Sequence, residues 1–244
     1  MRKIVCETLD RLTGRSECDF VGDVSAPISL RVLTNFLGVP DEYTARFYHW
    51  TNETMRLAQP GSFNLLRARF ALMQIFVQSA LLARERRKRP CADVFSSLVN
   101  GGFQGAPLTR VMTQVNFFLL IIAGNETTRN ALSGGIQALW EHAEQLARLR
   151  RDPSLLPQAI EEILRWVSPV MQFRRTAMRD TKIGEQEILK GEKVVMYYGA
   201  ANRDPEVFED PERFDITRRP NPHLAFGVGT HFCMGSHIAR LEMR

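Results

Sequence analysis

The sequence predicts a mainly α-helical fold that carries a minor antiparallel β-sheet. Apolar residues recur three or four positions apart over most of the 244-residue chain, which indicates helices. After residue 169 the pattern changes to short runs of β-branched and aromatic residues with intervening glycines, which is typical of strands. We expect a single domain with a helical body over about 1–168, a small sheet region over about 169–220, and a cysteine loop with the start of a helix over 221–244.

Five helices and one short extended piece are expected in the first hundred residues. Gly38 and Pro40 end the second helix, and Gly101 and Gly102 end the fifth. In chain order the segments are VCETLDRL, the extended DFVGDVS, APISLRVLTNFLGVP, DEYTARFYHWTNETMRLA, NLLRARFALMQIFVQSALLARERRKR and ADVFSSLVN. The basic run over 84–89 is expected to be the solvated end of its helix.

The centre of the chain predicts one long helix from about residue 108 to about residue 142, roughly 50 Å at ~1.5 Å per residue. Its middle, NFFLLIIAG, is apolar on every side, so we expect it to pass through the core. Two helices follow, over EQLARLRRD and PQAIEEILRWVSP. Strands are then expected over KIGEQEILKGEKVVMYYGAANRD, with turns at Gly184 and Gly191.

The composition, 44% apolar and 24% charged, is that of a globular protein. The longest apolar stretch, FFLLIIA, is shorter than the ~20 residues of a membrane-spanning helix. The N-terminal segment also lacks an apolar signal core, so we expect a cytoplasmic protein without a membrane anchor. The formal charge of +5 suits an acidic partner, but no basic patch with interleaved aromatic residues predicts nucleic-acid binding.

Cys233 is the cysteine whose surroundings suggest chemistry. The four cysteines include no CxxC pair, which argues against a disulfide framework. In HLAFGVGTHFCMGSHIARLEMR, glycines allow a close approach of the backbone to a flat cofactor, and the following helix would favour a thiolate. Two alternatives are a zinc site with His231 and His237, although HxCxxxH matches no standard finger, and a cysteine that only packs in a glycine turn.

Polar residues interrupt the long central helix at AGNETTRN. Gly124 costs ~1 kcal/mol relative to alanine in a helix interior, so a reason for it is expected. The hydroxyl of Thr127 can bond to the carbonyl of Ala123, which would bend the helix and open a notch for water or a diatomic ligand. Glu126 beside it could supply protons. The alternative is that the helix emerges into solvent at Asn125.

Two further motifs place charged residues where they could interact. Glu162 and Arg165 share one helix face in an ExxR motif, and Arg213 in DPERFD could complete a Glu-Arg-Arg network with a structural role. Arg174 and Arg175 in QFRRTA could clamp a carboxylate, although a surface position is the commoner explanation for either arginine.

The order AGxETT, ExxR, FxRTA, PERF and FxxGxxxCxG resembles the cytochrome P-450 family of haem-thiolate monooxygenases over essentially the whole chain. The segments CDFV, HWTNE, AGNETTRN and RPNPHLAFG are most similar to soluble bacterial members that hydroxylate steroid or sterol side chains and related terpenoids. The resemblance implies the cytochrome P-450 fold, heme b, and insertion of one oxygen atom of dioxygen into a C–H bond of a hydrophobic substrate. It also implies electrons from NAD(P)H through an NAD(P)H-dependent ferredoxin reductase and a ferredoxin.

The resemblance implies that the cysteine loop holds the haem. Cys233 would be the iron ligand, and its electron donation would favour cleavage of the O–O bond. The other residues expected to contact the haem are Phe226, Gly229, His231, Gly235, Arg175 and Ala123. Among these, His231 and Arg175 match the positions that pair with the haem propionates.

The resemblance implies roles for three further groups of residues. The catalytic group, which would deliver protons to dioxygen, is Glu126 and Thr127 with the adjacent Gly124. The structural network would be Glu162, Arg165 and Arg213. Besides the apolar residues before Gly124, the residues expected to line the substrate pocket are Val170, Met171 and Phe173.

Parts of the family's fold have no counterpart in this sequence. The final run SHIARLEMR has Ile238 and Leu241 at helical spacing but no cap, so we expect an incomplete fold cut inside a helix. An incomplete, catalytically inert remnant or a haem-binding protein of the same fold is therefore the alternative function. A peroxide-driven enzyme is a third possibility, against which the Glu126–Thr127 pair argues.

Overall fold

The structure, a computed structural model, describes residues 1–55, 65–103 and 106–244. The chain forms two compact units, Met1–Arg129 and Asn130–Arg244, which we call unit 1 and unit 2. The single domain that the sequence predicts, with its change from helices to strands near residue 168, stays a prediction. The change from helices to strands and the change in packing partners fall at different points of the chain.

The described residues are mainly helical, as the sequence predicts. Their α-helices are α1 (Arg2–Asp10), α2 (Ala26–Phe36), α3 (Asp41–Met55), α4 (Leu65–Lys88), α5 (Val94–Asn100), α6 (Arg110–Glu141), α7 (Ala143–Arg151), α8 (Leu156–Val167), α9 (Tyr198–Ala201) and α10 (Ser236–Glu242). Single 3-10 turns cover Pro153–Leu155 and Gly229–His231. Residues 56–58 and 64, which the sequence assigns to helices, lie outside the described residues.

The β structure in the described residues is minor and antiparallel, as the sequence predicts, and it consists of three two-stranded sheets. The strands are β1 (Gly102–Phe103), β2 (Ala106–Pro107), β3 (Gln172–Thr176), β4 (Thr181–Ile183), β5 (Gln186–Ile188) and β6 (Lys193–Tyr197). β1 pairs with β2, β3 with β6, and β4 with β5. Gly184 and Gly191 adopt positive φ angles of 57° and 90° in the loops around β5, consistent with the predicted turns.

The segment DFVGDVS is not extended as predicted. Residues Phe20–Ser25 form a π-helical turn. The carboxylate of Asp19 accepts a hydrogen bond from the Val21 N–H at 3.0 Å, and Asp23 accepts one from the Asp19 N–H at 3.0 Å. These two side chains satisfy backbone donors locally, which removes the need for a partner strand.

Phenylalanines from three helices meet in the core of unit 1. The ring of Phe117 on α6 lies 4.7 Å from that of Phe95 on α5 and 5.7 Å from that of Phe47 on α3, and all three are buried. The opposite side of α6 is different, because Val115 and Leu119 are 47% and 59% exposed. The prediction that this segment is buried on every side is therefore wrong.

One described helix, α4, is long and apolar enough to cross a membrane. Its buried face, which includes Ala71 and Ile75, packs in unit 1. The basic run at its end is exposed except for Arg86, which donates hydrogen bonds to the Asp93 carboxylate at 2.8 Å and to the Gly38 carbonyl at 2.6 Å. Arg86 therefore joins α4 to the segments before α3 and α5 instead of lying in solvent.

Two glycines allow α6 to pack closely on α8 in unit 2. A Cβ atom on Gly134 would lie 2.8 Å from Val167 Cγ1, and one on Gly135 would lie 2.7 Å from Ile163 Cγ2. The same side of α8 packs against Phe214, so α8 is fixed in the core of the unit. This packing fixes the helix that carries the polar residues Glu161, Glu162 and Arg165.

Candidate functional site

Glu162 and Arg165 form an ion pair on α8 in which both side chains are fully buried, at 0% exposure. Arg165 Nε and Nη2 donate to the two carboxylate oxygens of Glu162, each at 2.8 Å. This bidentate geometry is the strongest form of the interaction. Charges taken out of water are tolerated only when their remaining hydrogen-bonding positions are also satisfied.

The irregular chain after α9 supplies the remaining partners of Arg165. Its guanidinium donates to the backbone carbonyls of Asn202 at 2.8 Å, Pro211 at 2.9 Å and Arg213 at 3.1 Å. One buried cation thereby organises a loop that contains no regular strand pairing.

The same loop completes the shell around Glu162. Its carboxylate accepts hydrogen bonds from the Asp215 N–H at 2.9 Å, from Asn221 Nδ2 at 3.1 Å and from Arg218 Nε, whose closest approach is 3.2 Å. The Arg218 side chain is only 9% exposed. Arg218 is therefore the second arginine of the Glu-Arg-Arg network.

The assignment of Arg213 to this network is wrong for its side chain. The Arg213 guanidinium is 65% exposed and lies 4.0 Å from the Asp215 carboxylate. Its carbonyl faces the network and accepts hydrogen bonds from Arg165 and Arg218, which directs the side chain outwards. Sequence reasoning selected the arginine of the PERF motif, whereas the folded loop uses the one five residues later.

Glycines shape the loop that carries Cys233, residues 224–235, which we call the cysteine loop. Gly227 and Gly229 have φ angles of 69° and 68°, which residues with a side chain rarely adopt. The loop is closed by hydrogen bonds from the Cys233 N–H to the Phe226 carbonyl at 2.9 Å and from the Phe232 N–H to the Gly229 carbonyl at 3.0 Å. The thiol of Cys233 is half-buried in this loop.

Asn202, which sequence reasoning missed, links the buried ion pair to the cysteine loop. Its side chain is fully buried, accepts a hydrogen bond from the Leu224 N–H at 2.7 Å and donates one to Ser168 Oγ at 2.8 Å. Its carbonyl also accepts from Arg165. The sequence NRD gives no signal for this role, because all the partners of Asn202 are distant in the chain.

The donor atoms around Cys233 fit a metal ion that brings its other ligands with it. Among the described residues, no group of three or more histidines, cysteines, aspartates or glutamates could hold a metal ion. The predicted zinc alternative thus has too few ligands, and His231 and His237 are both exposed. Val228 before Cys233 in the chain and Met234 after it are 74% and 80% exposed, so the loop offers apolar surface to a flat macrocycle.

A second charged cluster, also missed by sequence reasoning, lies beside the first on α8. Glu161 accepts hydrogen bonds from Arg240 of α10 at 2.6 and 2.8 Å and from the ring of His223 at 3.0 Å. Although burial raises the pKa of Glu161, the hydrogen bonds from Arg240 and His223 outweigh it and lower that pKa to about 2. Glu161 is therefore an anion over the whole physiological range.

In unit 1, the polar interruption of α6 is anchored by Asn125. Asn125 is fully buried, accepts a hydrogen bond from Ser29 Oγ at 3.3 Å and donates one to Thr51 Oγ1 at 3.4 Å. The alternative that α6 emerges into solvent at Asn125 is therefore wrong. Gly124 permits close packing, since a Cβ there would lie 2.8 Å from Leu33 Cδ1 of α2.

Glu126 and Thr127 place a carboxylate and a hydroxyl next to each other in the sequence of α6. Thr127 Oγ1 donates to the Ala123 carbonyl at 2.6 Å, so the predicted hydrogen bond is present. Glu126 pairs with Arg129, which also donates to Asn52 Oδ1 at 3.2 Å. The second carboxylate oxygen of Glu126, Oε1, is buried and has no hydrogen-bond partner in the structure.

In unit 2, Arg175 and His231, predicted to bind propionates, are both exposed. Arg175 lies on β3 with its guanidinium 5.7 Å from the centre of the Phe173 ring. Of the predicted substrate-lining residues, Val170 is half-buried, Met171 is 75% exposed and Phe173 is 49% exposed. The structure thus places these residues and Cys233 in unit 2, and Ala123, Gly124, Glu126 and Thr127 in unit 1.

Comparison with known proteins gives a consistent result. The family model described as Cytochrome P450 matches residues 42–244. Steroid C26-monooxygenase of Mycobacterium tuberculosis is 40% identical over 98% of this chain and 65% of its own length. The methyl-branched lipid omega-hydroxylase of Mycobacterium bovis is 38% identical over 93% of this chain and 54% of its own length.

A solved structure has the same fold as this chain. CYP109E1 from Bacillus megaterium, in complex with testosterone, superposes with a TM-score of 0.90 at 36% identity over 99% of this chain and 66% of that one. The chain therefore spans between about half and two thirds of the length of these relatives.

The two arginines after the PERF motif provide a test of the network. We expect Arg218→Ala to lower the free energy of unfolding by roughly 2–3 kcal/mol, because it removes charged hydrogen bonds from the buried Glu162. Arg213→Ala should change it by less than ~0.5 kcal/mol, because that guanidinium is exposed. Urea unfolding of both variants measures the difference, and equal losses would contradict the assignment of Arg218.

Proposed function

Because this chain belongs to the cytochrome P450 family, we propose that the whole protein is a haem-thiolate monooxygenase that inserts one oxygen atom of dioxygen into a C–H bond of a hydrophobic substrate. The observation that carries the proposal is the cysteine loop. It holds one half-buried thiol between exposed apolar side chains, and the described residues offer no cluster of further metal ligands.

The residues of unit 2 would hold heme b. Cys233 would bind the iron as thiolate, with Phe226, Gly229 and Gly235 shaping the loop around it. The exposed side chains of Arg175 and His231 would pair with the propionates. When bound, the haem supplies the redox chemistry that activates dioxygen, and electron donation by the thiolate favours O–O cleavage.

In unit 1, Glu126 and Thr127 would transfer protons, and Ala123 and Gly124 lie just before them in the chain. The hydrogen of Thr127 Oγ1 is used in the hydrogen bond to the Ala123 carbonyl, which fixes the hydroxyl in place. The lone pairs of the same oxygen can still accept a hydrogen bond from a proton donor. Glu126 Oε1 is a buried acceptor without a partner among the described residues, which suits a water that exchanges protons with it. Arg129 holds the other oxygen of that carboxylate in place.

The substrate class proposed is a steroid, sterol, terpenoid or related lipid. A steroid monooxygenase and a methyl-branched lipid hydroxylase are among the relatives, and one similar structure contains testosterone. Val170, Met171 and Phe173 would line the pocket, and the last two expose apolar surface. Screening steroids, fatty acids and terpenes for a substrate-induced change of haem spin state in the whole protein separates these classes.

Electrons would come from NAD(P)H through a ferredoxin reductase and a ferredoxin. The formal charge of +5 supports docking of an acidic ferredoxin. We infer a cytoplasmic location, which is supported by the packing of one face of α4, the apolar described helix, within unit 1.

The haem ligand can be tested by substitution of cysteines. In the whole protein, the reduced carbon monoxide complex should show the red-shifted Soret band of thiolate ligation, and Cys233→Ser should remove that shift because a serine hydroxyl does not ionise at neutral pH. Cys91→Ser is the control and should keep the band, since Cys91 is exposed and distant in sequence from the loop. A red-shifted band in the Cys233→Ser protein, or its absence in the parent, would contradict the proposal.

The role of Thr127 is tested by coupling of electrons to product. We expect Thr127→Ala to consume NAD(P)H while releasing hydrogen peroxide in place of hydroxylated product, because the hydroxyl that relays protons is lost. Thr127→Ser keeps a hydroxyl and should retain most of the coupling. Measurement of NAD(P)H, peroxide and product together checks this, and unchanged coupling in Thr127→Ala would remove the residue from the relay.

A further inference from the structure

Three elements of unit 2 converge on Glu161. The residue lies on α8, His223 precedes the cysteine loop, and Arg240 lies on α10, which follows that loop. Arg240 donates through Nε and Nη2 to the two carboxylate oxygens, and His223 Nε2 lies 3.0 Å from one of them. The carboxylate of Glu161 therefore ties together the two ends of the segment that contains Cys233.

The hydrogen bonds fix the tautomer of His223. Its Nδ1 accepts a hydrogen bond from the Ala225 N–H at 3.2 Å, so the ring proton lies on Nε2 and is donated to Glu161. The side chain of His223 is only 4% exposed. His223 is thus a fixed, oriented donor immediately before the loop.

Arg240 and His223 both contact the ring of Phe226, the residue that is hydrogen-bonded to the backbone of Cys233. The Arg240 guanidinium lies 4.5 Å from the centre of the Phe226 ring, and the His223 ring lies 6.0 Å from it. A cation at this distance over an aromatic face is attracted to it. The carbonyl of Phe226 in turn accepts the hydrogen bond from the Cys233 N–H, so the position of Phe226 determines that of the cysteine.

The guanidinium of Arg240 also lies beside the cysteine loop, because it rests over the ring of Phe226. The hydrogen bond from Arg240 to Glu161, together with the charge of Glu161, outweighs the effect of burial and raises the pKa of Arg240. Arg240 and Glu161 therefore place one positive and one negative charge beside the cysteine loop, and the two charges act on the sulfur with opposite signs.

We propose that Glu161, His223 and Arg240 are positioning residues that hold the Phe226–Cys233 loop and set the electron donation of the Cys233 thiolate. The effect on electron donation rests on the proposed function of Cys233 as the haem ligand. The mechanical effect on the loop does not, because it follows from hydrogen bonds and ring contacts of the protein itself.

The first experiment measures the haem reduction potential of the whole protein in two charge variants. Arg240→Gln leaves the Glu161 anion unbalanced, which should stabilise the oxidised form and shift the potential to more negative values. Glu161→Gln leaves the Arg240 cation unbalanced and should shift it in the opposite direction. Arg213→Gln, which alters an exposed arginine outside the cluster, is the matched control and should leave the potential unchanged.

Shifts of opposite sign support the electrostatic role, since mere loosening of the loop gives no reason for them. Shifts of the same sign, or none, would overturn it. Combining Arg240→Gln with Glu161→Gln should bring the potential back towards that of the parent, because both charges are then removed.

The second experiment needs no haem signal and so separates this proposal from the proposed function. Backbone amide hydrogen exchange at Cys233 should be faster in both Arg240→Gln and Glu161→Gln than in the parent or in Arg213→Gln, because the Phe226 carbonyl is held less firmly. Unchanged exchange would overturn the positioning role. If exchange responds but the parent lacks a thiolate-type spectrum, the proposed function fails while the positioning role of the cluster stands.

Discussion

The buried Glu162–Arg165 ion pair is the interaction on which the rest of unit 2 depends. Two charges removed from water cost several kcal/mol each unless every remaining lone pair and proton finds a partner. Arg165 and Glu162 obtain those partners from the backbone and side chains of residues 202–221, which lack strand pairing of their own. The same requirement fixes Asn202, and Asn202 fixes the start of the cysteine loop at Leu224. The start of the loop that carries Cys233 is thus held by a residue that also satisfies a buried charge.

The sequence predicted what short-range spacing determines. Helical periodicity located the helices that now contain the site, and the i to i+4 relation gave the Thr127–Ala123 hydrogen bond. Prediction from the sequence failed for residues whose partners are distant in the chain. Arg218 could not be told from Arg213 because both are arginines in one irregular loop, and their roles depend on which way the backbone faces. His223 and Arg240 share Glu161 across about sixty to eighty residues, a distance at which no local pattern operates.

Small residues and buried amides position α6 in both units. In unit 1 the absence of a side chain at Gly124 allows Leu33 to approach, and Asn125 joins α2 and α3 through two hydrogen bonds. In unit 2 Gly134 and Gly135 allow α8 to approach the same helix. The polar interruption, which looks unfavourable from helix propensity alone, is therefore compensated by packing on one side. The same segment carries Glu126 Oε1 and Thr127, the groups that we propose take part in proton transfer.

We propose that a single thiolate, from Cys233, is the protein's ligand to a haem iron. Iron K-edge X-ray absorption of the whole protein, isolated with its haem, is the sharpest test because it identifies the atoms bound to the metal. We expect one sulfur neighbour in addition to the porphyrin nitrogens. A spectrum without sulfur, or one with an additional nitrogen in its place as His231 or His237 would give, would contradict it.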